Sequence, residues 1–353
     1  MNQTRLWQWV VRYVLVVLVT LVSLFPTYWM VSMSFKPKIE WTTASGTVYW
    51  VPRNPTLENY ENILTEYRGK VFRAAQTSGI PAMRSSLIVA IGGTLLALVV
   101  GTLAAYGISR YHRSSGDFPW YMALGRLILM VLILLPITLA WSLLGLISHW
   151  YGILSLTIVG FFVDGLVGRF LGLIYRKGPV GNLAFSILQL RMFPPIAIMI
   201  PVMIMWSSFR LVDTSYGLIL IYGIVTFPFV VWLMKSFFDE VPRELDEAAI
   251  VDGSSTWGAF FKVVLPLVKG GLASTALFVF ILNWSDFLVA LLLTNRDWPT
   301  IPVYLNKLVT ADTGQQYGPK AALGVIAAIP PVVFGIMIQR YLVRGLTFGA
   351  IKK

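Results

Sequence analysis

The sequence predicts an all-α polytopic membrane protein, and two observations carry that prediction. Hydrophobic residues make up 57% of the 353 residues and charged residues only 12%, about half the charged fraction of an ordinary soluble domain. Uncharged runs long enough to cross a bilayer core of about 30 Å also recur along the chain. A soluble fold of this size needs a more highly charged surface, so the composition excludes a cytoplasmic enzyme, a nucleic-acid-binding domain and a disordered scaffold.

About eight transmembrane helices are predicted, because each crossing needs roughly 20 apolar residues. The run Leu127–Val163 is too long for one crossing and is divided near His149. The first run is longer than the apolar core of a signal peptide, so it is predicted to be an uncleaved helix. The predicted spans are about 10–33, 84–109, 120–147, 153–175, 185–207, 215–237, 270–294 and 321–345.

Topology follows from this even number of spans, which places both termini on one side of the membrane. Basic residues such as Arg5, Arg110, Arg243, Arg340 and Lys353 share that side. The positive-inside rule therefore predicts that both termini are cytoplasmic. The outer segment also carries basic residues, which its acids partly balance.

The spans divide the chain into seven segments. A short helix is predicted over 57–65, inside the largest outer segment. The segments are 1–35 (N-terminal tail and first helix), 36–83 (extracytoplasmic), 84–113 (one helix), 114–184 (an inserted helical hairpin), 185–237 (two helices), 238–268 (a cytoplasmic loop) and 269–353 (the last two helices and the C-terminal tail).

Motifs for catalysis and nucleotide binding are absent from the sequence. There is no cysteine, and neither His112 nor His149 has metal-ligand spacing. The phosphate-binding loop and the nucleophile elbow are also missing. No catalytic residue, metal or cofactor is therefore predicted, and energy for transport would come from an ion gradient or from another polypeptide.

An acidic cluster stands out on the otherwise basic cytoplasmic side, in the loop that follows the span 215–237. Gly253 is expected to end a first short helix in the left-handed conformation. One of Ser254, Ser255 or Thr256 is expected to cap a second helix, which Pro266 closes. The acids are Asp239, Glu240, Glu244, Asp246, Glu247 and Asp252, and the apolar stripe of the second helix is Trp257, Phe260, Phe261, Val264 and Leu265.

Two interpretations of this loop remain open from its residues alone. It is either a solvated acidic helix or a docking element for a cytosolic partner with a basic surface. The combination of a capped helix, a glycine turn and an aromatic stripe favours docking.

The loop resembles the EAA loop of ABC importer permeases. The residues that match are Glu247, Ala248, Ala249, then Asp252 and Gly253, and later Leu265 and Pro266. The stretch 284–288, WSDFL, resembles the W-N-E-F-L stretch of carbohydrate-uptake permeases. The tail 339–350 is similar to the C-terminal signature of the smaller, maltose-transporter-type subunit. The resemblance covers roughly 10–110 and 185–353.

The resemblance implies a six-helix core in the cytoplasmic membrane of a bacterium or archaeon, and this core pairs with a second homologous permease. Two cytosolic ABC ATPase subunits and an extracytoplasmic solute-binding protein would complete the complex, and ATP hydrolysis would reside in the separate ATPase chains. The expected function is import of a sugar, oligosaccharide or polyol by alternating access. By position, the residues expected to contact the ATPase are Glu247, Ala248, Ala249, Asp252 and Gly253.

The segment 114–184 has no counterpart in the six-helix pattern. It is predicted to form two helices that enter and leave from the cytoplasm, so the orientation of the later spans is preserved. The hairpin either packs against membrane lipid or binds an accessory protein. If it is instead re-entrant or lies on the surface, the number of spans falls to six.

Candidate pathway residues are aromatic or acidic, because sugar sites combine aromatic platforms with polar groups. They are Trp206, Tyr222, Trp284, Asp286 and Phe287. An aromatic residue at helical spacing also commonly serves packing, so both roles stay open.

Two rival functions require ionisable residues that the sequence provides only sparingly. A stand-alone gradient-driven transporter needs ionisable residues inside the spans, which are few here. A lipid-modifying enzyme needs a titratable cluster at one membrane face, which exists only in the loop.

Overall fold

The computed structural model describes residues 3–41, 47–64, 79–111, 187, 195–310 and 314–348, and these parts are predominantly helical. A 3-10 turn spans Lys38–Glu40, and a π-helical turn spans Phe260–Val264. Two short strands, β1 (Val309–Thr310) and β2 (Gly314–Gln315), pair antiparallel. The helices are α1 (Gln3–Ser34), α2 (Glu58–Leu64), α3 (Gly79–Tyr111), α4 (Pro195–Ser208), α5 (Ser215–Asp239), α6 (Glu244–Val251), α7 (Thr256–Ala259), α8 (Leu265–Leu267), α9 (Lys269–Ser285), α10 (Leu288–Leu293), α11 (Ile301–Lys307) and α12 (Tyr317–Phe348).

Four of the described helices are long and apolar enough to cross a membrane, namely α1, α3, α5 and α12. They coincide with the predicted spans 10–33, 84–109, 215–237 and 321–345, and the all-α membrane class is confirmed. The predicted hairpin 114–184 lies outside the described residues, as does most of 185–194 at the start of another predicted span. The total of about eight spans therefore stays a prediction.

The chain forms two compact units, and the first comprises Met1–Leu87 and Trp298–Phe334. Here α2 satisfies the end of α1, whose last carbonyl groups lack partners within the helix. The carboxamide of Asn59 on α2 donates to the Ser34 carbonyl at 2.9 Å and to the Lys36 carbonyl at 2.8 Å. The Tyr60 hydroxyl lies 2.7 Å from the Ser34 hydroxyl. The helix predicted over 57–65 is thus confirmed as α2, and these bonds explain its position.

The ammonium group of Lys36 is enclosed in the same unit. It donates to the Tyr49 carbonyl and lies 4.2 Å from the centre of the Trp29 ring. Burial lowers the pKa of Lys36, and the nearby Glu40 carboxylate opposes that shift. Glu40 in turn accepts backbone hydrogen bonds from Arg53 and Asn54. These contacts fold residues 47–54 back onto the end of α1.

The second unit comprises Ile88–Asp297 and Gly335–Lys353, and α3 packs closely against α5 within it. Small residues recur every four positions on α3, at Gly93, Ala97, Gly101 and Ala105. A Cβ atom added to Gly101 would lie 2.7 Å from the Cβ of Val230 on α5. Helices that pair inside membranes use such stripes because small side chains let the backbones approach.

Towards the C-terminal end of α3, the buried side chains of the second unit form a cluster where α3, α5 and the loop 240–268 meet. Aromatic rings fill the centre of the cluster: Tyr106 lies 4.7 Å from Phe260 and 5.6 Å from Phe238, measured between ring centroids. The buried members are Ala97, Ala105, Tyr106, Val230, Met234, Phe238, Phe260, Val264, Val268 and Val279. This cluster anchors the loop against the membrane helices.

The prediction of one continuous helix over 270–294 is wrong. The helix α9 ends at Ser285, and α10 begins at Leu288. Asp286 has an extended backbone, with ψ at 128°, and its carboxylate accepts from the amides of Val289 at 3.0 Å and Ala290 at 3.4 Å. An acid that caps a new helix in this way necessarily interrupts the old one.

Candidate functional site

The loop 240–268 has the predicted helix–turn–helix form. The helix α6 ends before Gly253, whose φ is +87°, a left-handed conformation that glycine adopts without steric cost. Ser255 then caps α7, and its hydroxyl accepts from the Gly258 amide at 3.1 Å. Of the three residues predicted as caps, the structure therefore selects Ser255.

The outward side of α6 carries most of the residues predicted to contact a partner. Glu247, Ala248, Asp252 and Gly253 are exposed. Ala249 is buried in this chain, at 8% exposure, on the side that rests on the rest of the unit. Apolar side chains are exposed between the acids, most of all Val251 at 86%. The surface thus combines negative charge with small and apolar side chains.

The predicted apolar stripe of the second helix is not one surface, which corrects the sequence analysis. Phe260 and Val264 are buried in the cluster described above, whereas Trp257 and Phe261 are exposed and stack at 6.1 Å between centroids. Pro266 does not close the segment either, because it lies in the first turn of α8. Its missing N–H leaves the Lys262 carbonyl without its usual helical partner, which suits the preceding π-helical turn.

The segment Thr256–Leu267 meets Lys269–Ser285 at an angle of 76°. The turn lies at Val268, whose φ and ψ are −94° and 14°. A sharp bend at this point lets the loop lie across the end of a spanning helix instead of continuing along its axis.

Asp246 does not belong to the exposed acidic surface, although it is part of the acidic cluster in sequence. The Tyr106 hydroxyl donates to its Oδ1 at 2.6 Å, and the Arg110 Nε lies 2.8 Å from its Oδ2. Sequence reasoning missed this contact. The spacing of Tyr106 and Arg110 puts them on one face of α3, but nothing in the sequence pairs that face with an acid 140 residues away.

A second polar contact holds the same ends of α3 and α5 together. The Ser109 hydroxyl donates to Asp239 Oδ1 at 2.6 Å, and Lys235 pairs with Asp239 Oδ2 at 2.5 Å. Arg243, just before α6, donates from its Nη2 to the Ser109 carbonyl at 2.7 Å. The carbonyl at the end of α3 thereby gains a cationic partner, which also complements the helix dipole.

Of the predicted pathway residues, Tyr222 and Asp286 lie together. The Tyr222 hydroxyl donates to Asp286 Oδ1 at 3.2 Å, and the tyrosine is almost fully buried. One turn before the break, the carboxamide of Asn283 donates to the Thr94 hydroxyl at 3.2 Å. Polar groups of α3, α5 and α9 thus meet beside the interruption between α9 and α10.

The other three pathway residues have different surroundings. Trp206 is buried, and its Nε1 donates to the Gly217 carbonyl at 3.0 Å, which joins α4 to α5. Trp284 is buried and stacks on Phe280 at 5.7 Å. Phe287 is partly exposed at the break. Trp206 and Trp284 are therefore enclosed by packing, and Phe287 is the most exposed of the four predicted pathway aromatics. Whether any of the five residues lines a pathway stays a prediction.

Within the parts of the chain that the structure describes, no group of three or more acidic or histidine side chains is arranged to hold a metal ion.

Comparisons with known proteins agree with this architecture. The family model for the binding-protein-dependent transport system inner membrane component matches residues 165–348. A probable ABC transporter permease protein, y4oR of Sinorhizobium fredii, is 44% identical over 172 residues, which span 49% of this chain and 62% of that protein. The trehalose transport system permease protein SugB of Mycobacterium tuberculosis is 29% identical over 94% of this chain and 93% of its own length.

A solved structure also resembles the whole chain. It is a bacterial ABC transporter involved in the import of the acidic polysaccharide alginate, and the matching chain has a TM-score of 0.57 at 18% identity. The match covers 97% of this chain and 98% of that one. At this identity the likeness concerns the fold.

Proposed function

Because the chain belongs to the family of binding-protein-dependent transport system inner membrane components, we propose that it is the permease subunit of an ABC importer for a sugar, oligosaccharide or polyol. It forms half of the translocation pathway and couples to two cytosolic ATPase subunits. A second homologous permease and an extracytoplasmic solute-binding protein complete the complex, and both termini are cytoplasmic.

The exposed acidic side of α6 is the observation that carries the coupling role. Glu244 and Glu247 project from a helix of eight residues, Asp252 follows at its C-terminal end, and the turn at Gly253 leaves open space beyond it. Complementary charge selects and orients a basic partner. The opposite side of the loop is buried on α3 and α5, so a partner bound at α6 pushes on the membrane helices directly.

The carbohydrate class is supported by two observations. SugB, which is similar over nearly the full length of both chains, is named as a trehalose transport permease. The stretch 284–288 contains the break between α9 and α10. At the break the Tyr222 hydroxyl donates to Asp286, and the next residue in the chain is the partly exposed Phe287. An aromatic face beside hydrogen-bonding groups is the combination that sugars require.

The gradient-driven alternative is less well supported. Asp286 is the acid of the described spans best placed for a proton relay, but its Oδ1 accepts from the Val289 amide and from the Tyr222 hydroxyl. The side chain is thus engaged in capping α10, and a proton relay through Asp286 would have to break that cap.

The coupling role is tested by substitutions on α6 in the complex reconstituted with its partner permease, ATPases and binding protein. Glu247→Lys reverses one exposed charge, and Gly253→Pro forbids the positive φ. Both should abolish binding-protein-stimulated uptake of radiolabelled trehalose, the first probe, while membrane insertion is retained. Glu58→Lys, which changes another exposed acid, on α2, is the control and should transport normally.

A second comparison isolates the conformation of the turn. A Cβ atom at Gly253 meets nothing within 4 Å, so a substitution there acts through φ alone. Asparagine tolerates the left-handed region and valine does not. Gly253→Asn should therefore retain ATPase binding and Gly253→Val should lose it. Retained uptake in Glu247→Lys and Gly253→Pro together would count decisively against docking at this loop.

A further inference from the structure

The last turns of α3 are tied to α6 by a buried polar triad, Tyr106, Arg110 and Asp246. Both oxygens of the Asp246 carboxylate have a partner: the Tyr106 hydroxyl lies at 2.6 Å and the Arg110 Nε at 2.8 Å. The side chains of Arg110 and Asp246 are 6% and 10% exposed. Since the tyrosine and the acid are 140 residues apart, the triad joins elements that no short stretch of chain connects.

The two partners of the carboxylate come from successive turns of α3, at positions i and i+4. The Tyr106 hydroxyl donates a hydrogen bond, whereas Arg110 forms an ion pair that lacks hydrogen-bond geometry. A carboxylate held from both turns resists sliding along α3 and rotation about it. The Tyr106 ring is itself held between Phe238 of α5 and Phe260 of the loop. The triad therefore fixes the register of α6 on α3, in addition to holding the two together.

Stability alone does not explain this arrangement. Apolar residues of similar volume commonly replace a buried ion pair without loss of stability, because desolvation offsets the attraction between the charges. The pair lies directly behind the exposed side of α6. The peptide chain links α6 closely to α5, through residues 240–243, and to α7, through 252–255, so α3 depends on non-covalent contacts to follow it.

We propose that the Tyr106–Arg110–Asp246 triad transmits the displacement of α6 to α3, so that the two move as one body during transport. This inference rests on the proposed function, since it requires an ATPase bound at α6. The three side chains are positioning residues, because they are buried behind α6 and would act through it. Without the triad, a displacement of α6 would reach α3 only indirectly, through the packing of α3 on α5 and the contact of Arg243 with the Ser109 carbonyl.

The experiment replaces the ion pair by a covalent bridge that can be added at will. The chain contains no cysteine, so Arg110→Cys with Asp246→Cys creates a unique pair for a short bifunctional thiol reagent. The complete reconstituted complex is used. Three quantities are measured before and after bridging: the ATPase that co-purifies, the rate of ATP hydrolysis, and trehalose taken up per ATP hydrolysed. The cysteine-free chain treated with the reagent is the control.

Before bridging, the double-cysteine complex should retain its ATPase and hydrolyse ATP at the rate of the unmodified complex. Uptake per ATP should fall about tenfold, a typical coupling between two sites, and bridging should restore it. Arg110→Leu with Asp246→Leu, which leaves no unpaired buried charge, should show the same low ratio. Lys235→Ala, which breaks an ion pair within α5 alone, should leave the ratio unchanged.

Three results would overturn the inference. One is an unchanged ratio in the unbridged double-cysteine complex. Another is a ratio that stays low after bridging, because α3 and α6 would then have to move relative to each other. The third is loss of the ATPase from the double-cysteine complex, which would make the triad a support for docking only. Failure of the unmodified chain to co-purify with an ATPase would instead refute the proposed function.

Discussion

The close approach of α3 and α5 predicts a large difference between two glycine substitutions on the same helix. A Cβ atom at Gly101 would lie 2.7 Å from both the Cβ and the Cγ1 of Val230, whereas one at Gly107 meets nothing within 4 Å. Ordinary contact between such carbons begins near 3.4 Å. Gly101→Ala therefore forces the helices apart or strains the valine, and Gly107→Ala does neither.

The magnitude follows from two opposing terms. Replacing glycine by alanine inside a helix stabilises it by up to about 1 kcal/mol at either position. Overpacking in a well-packed interior costs about 1–3 kcal/mol and applies at Gly101 alone. Since the helix term cancels between the two variants, Gly101→Ala should be less stable than Gly107→Ala by about 1–3 kcal/mol.

The free energy of unfolding is measured on the detergent-purified complex by SDS titration. A double-variant test then moves the glycine from α3 to α5, as Gly101→Ala with Val230→Gly. The steric conflict is relieved in that combination, so its destabilisation should be smaller than the sum of the two single changes by about 1–3 kcal/mol. Equal stability of Gly101→Ala and Gly107→Ala, or strict additivity in the double variant, would refute this account of the α3–α5 contact.

Three further substitutions test single contacts of the second unit. Asp286→Ala removes the cap of α10 and an acceptor for the Tyr222 hydroxyl, so the free energy of unfolding should fall by about 1–2 kcal/mol, and Asp286→Asn should restore most of it. Ser255→Ala removes the cap of α7 and should cost about 1 kcal/mol, seen as faster amide hydrogen exchange over 256–259, whereas Ser254→Ala should exchange as the unmodified chain does. Trp206→Phe loses one indole hydrogen bond, worth about 1 kcal/mol, and should leave the KM for uptake unchanged, because this ring packs between helices; a raised KM would return it to the pathway.

The membrane class and the positions of the main spans were predictable because they depend on composition and run length. A bilayer needs long uncharged helices whatever their neighbours are, so α1, α3, α5 and α12 occur where the apolar runs predicted them. The turn at Gly253 and the short helix α2 were also predictable, because glycine and capping residues act on the backbone within a few positions.

The interruption at Asp286 shows where a local reading fails. Run length alone favours one helix over 270–294, and an acid followed by Phe287 does not by itself stop a helix. The break is stabilised by a partner from another helix, the Tyr222 hydroxyl on α5, together with the amide of Val289. Sequence identified Tyr222 and Asp286 as pathway candidates, but their contact is a product of tertiary packing.

The sequence by itself therefore determined the membrane environment in which this chain folds, the positions of four spanning helices and the acidic loop with its glycine turn, which resembles the EAA loop of the family. The tertiary structure alone decided which acids of that loop face outwards. Asp246 lies among five other acids in the sequence, yet it turns inwards because Tyr106 and Arg110 stand opposite it on α3. Local patterns fix the backbone through short-range sterics and hydrogen bonds, whereas the burial of a charge depends on partners that are distant along the chain.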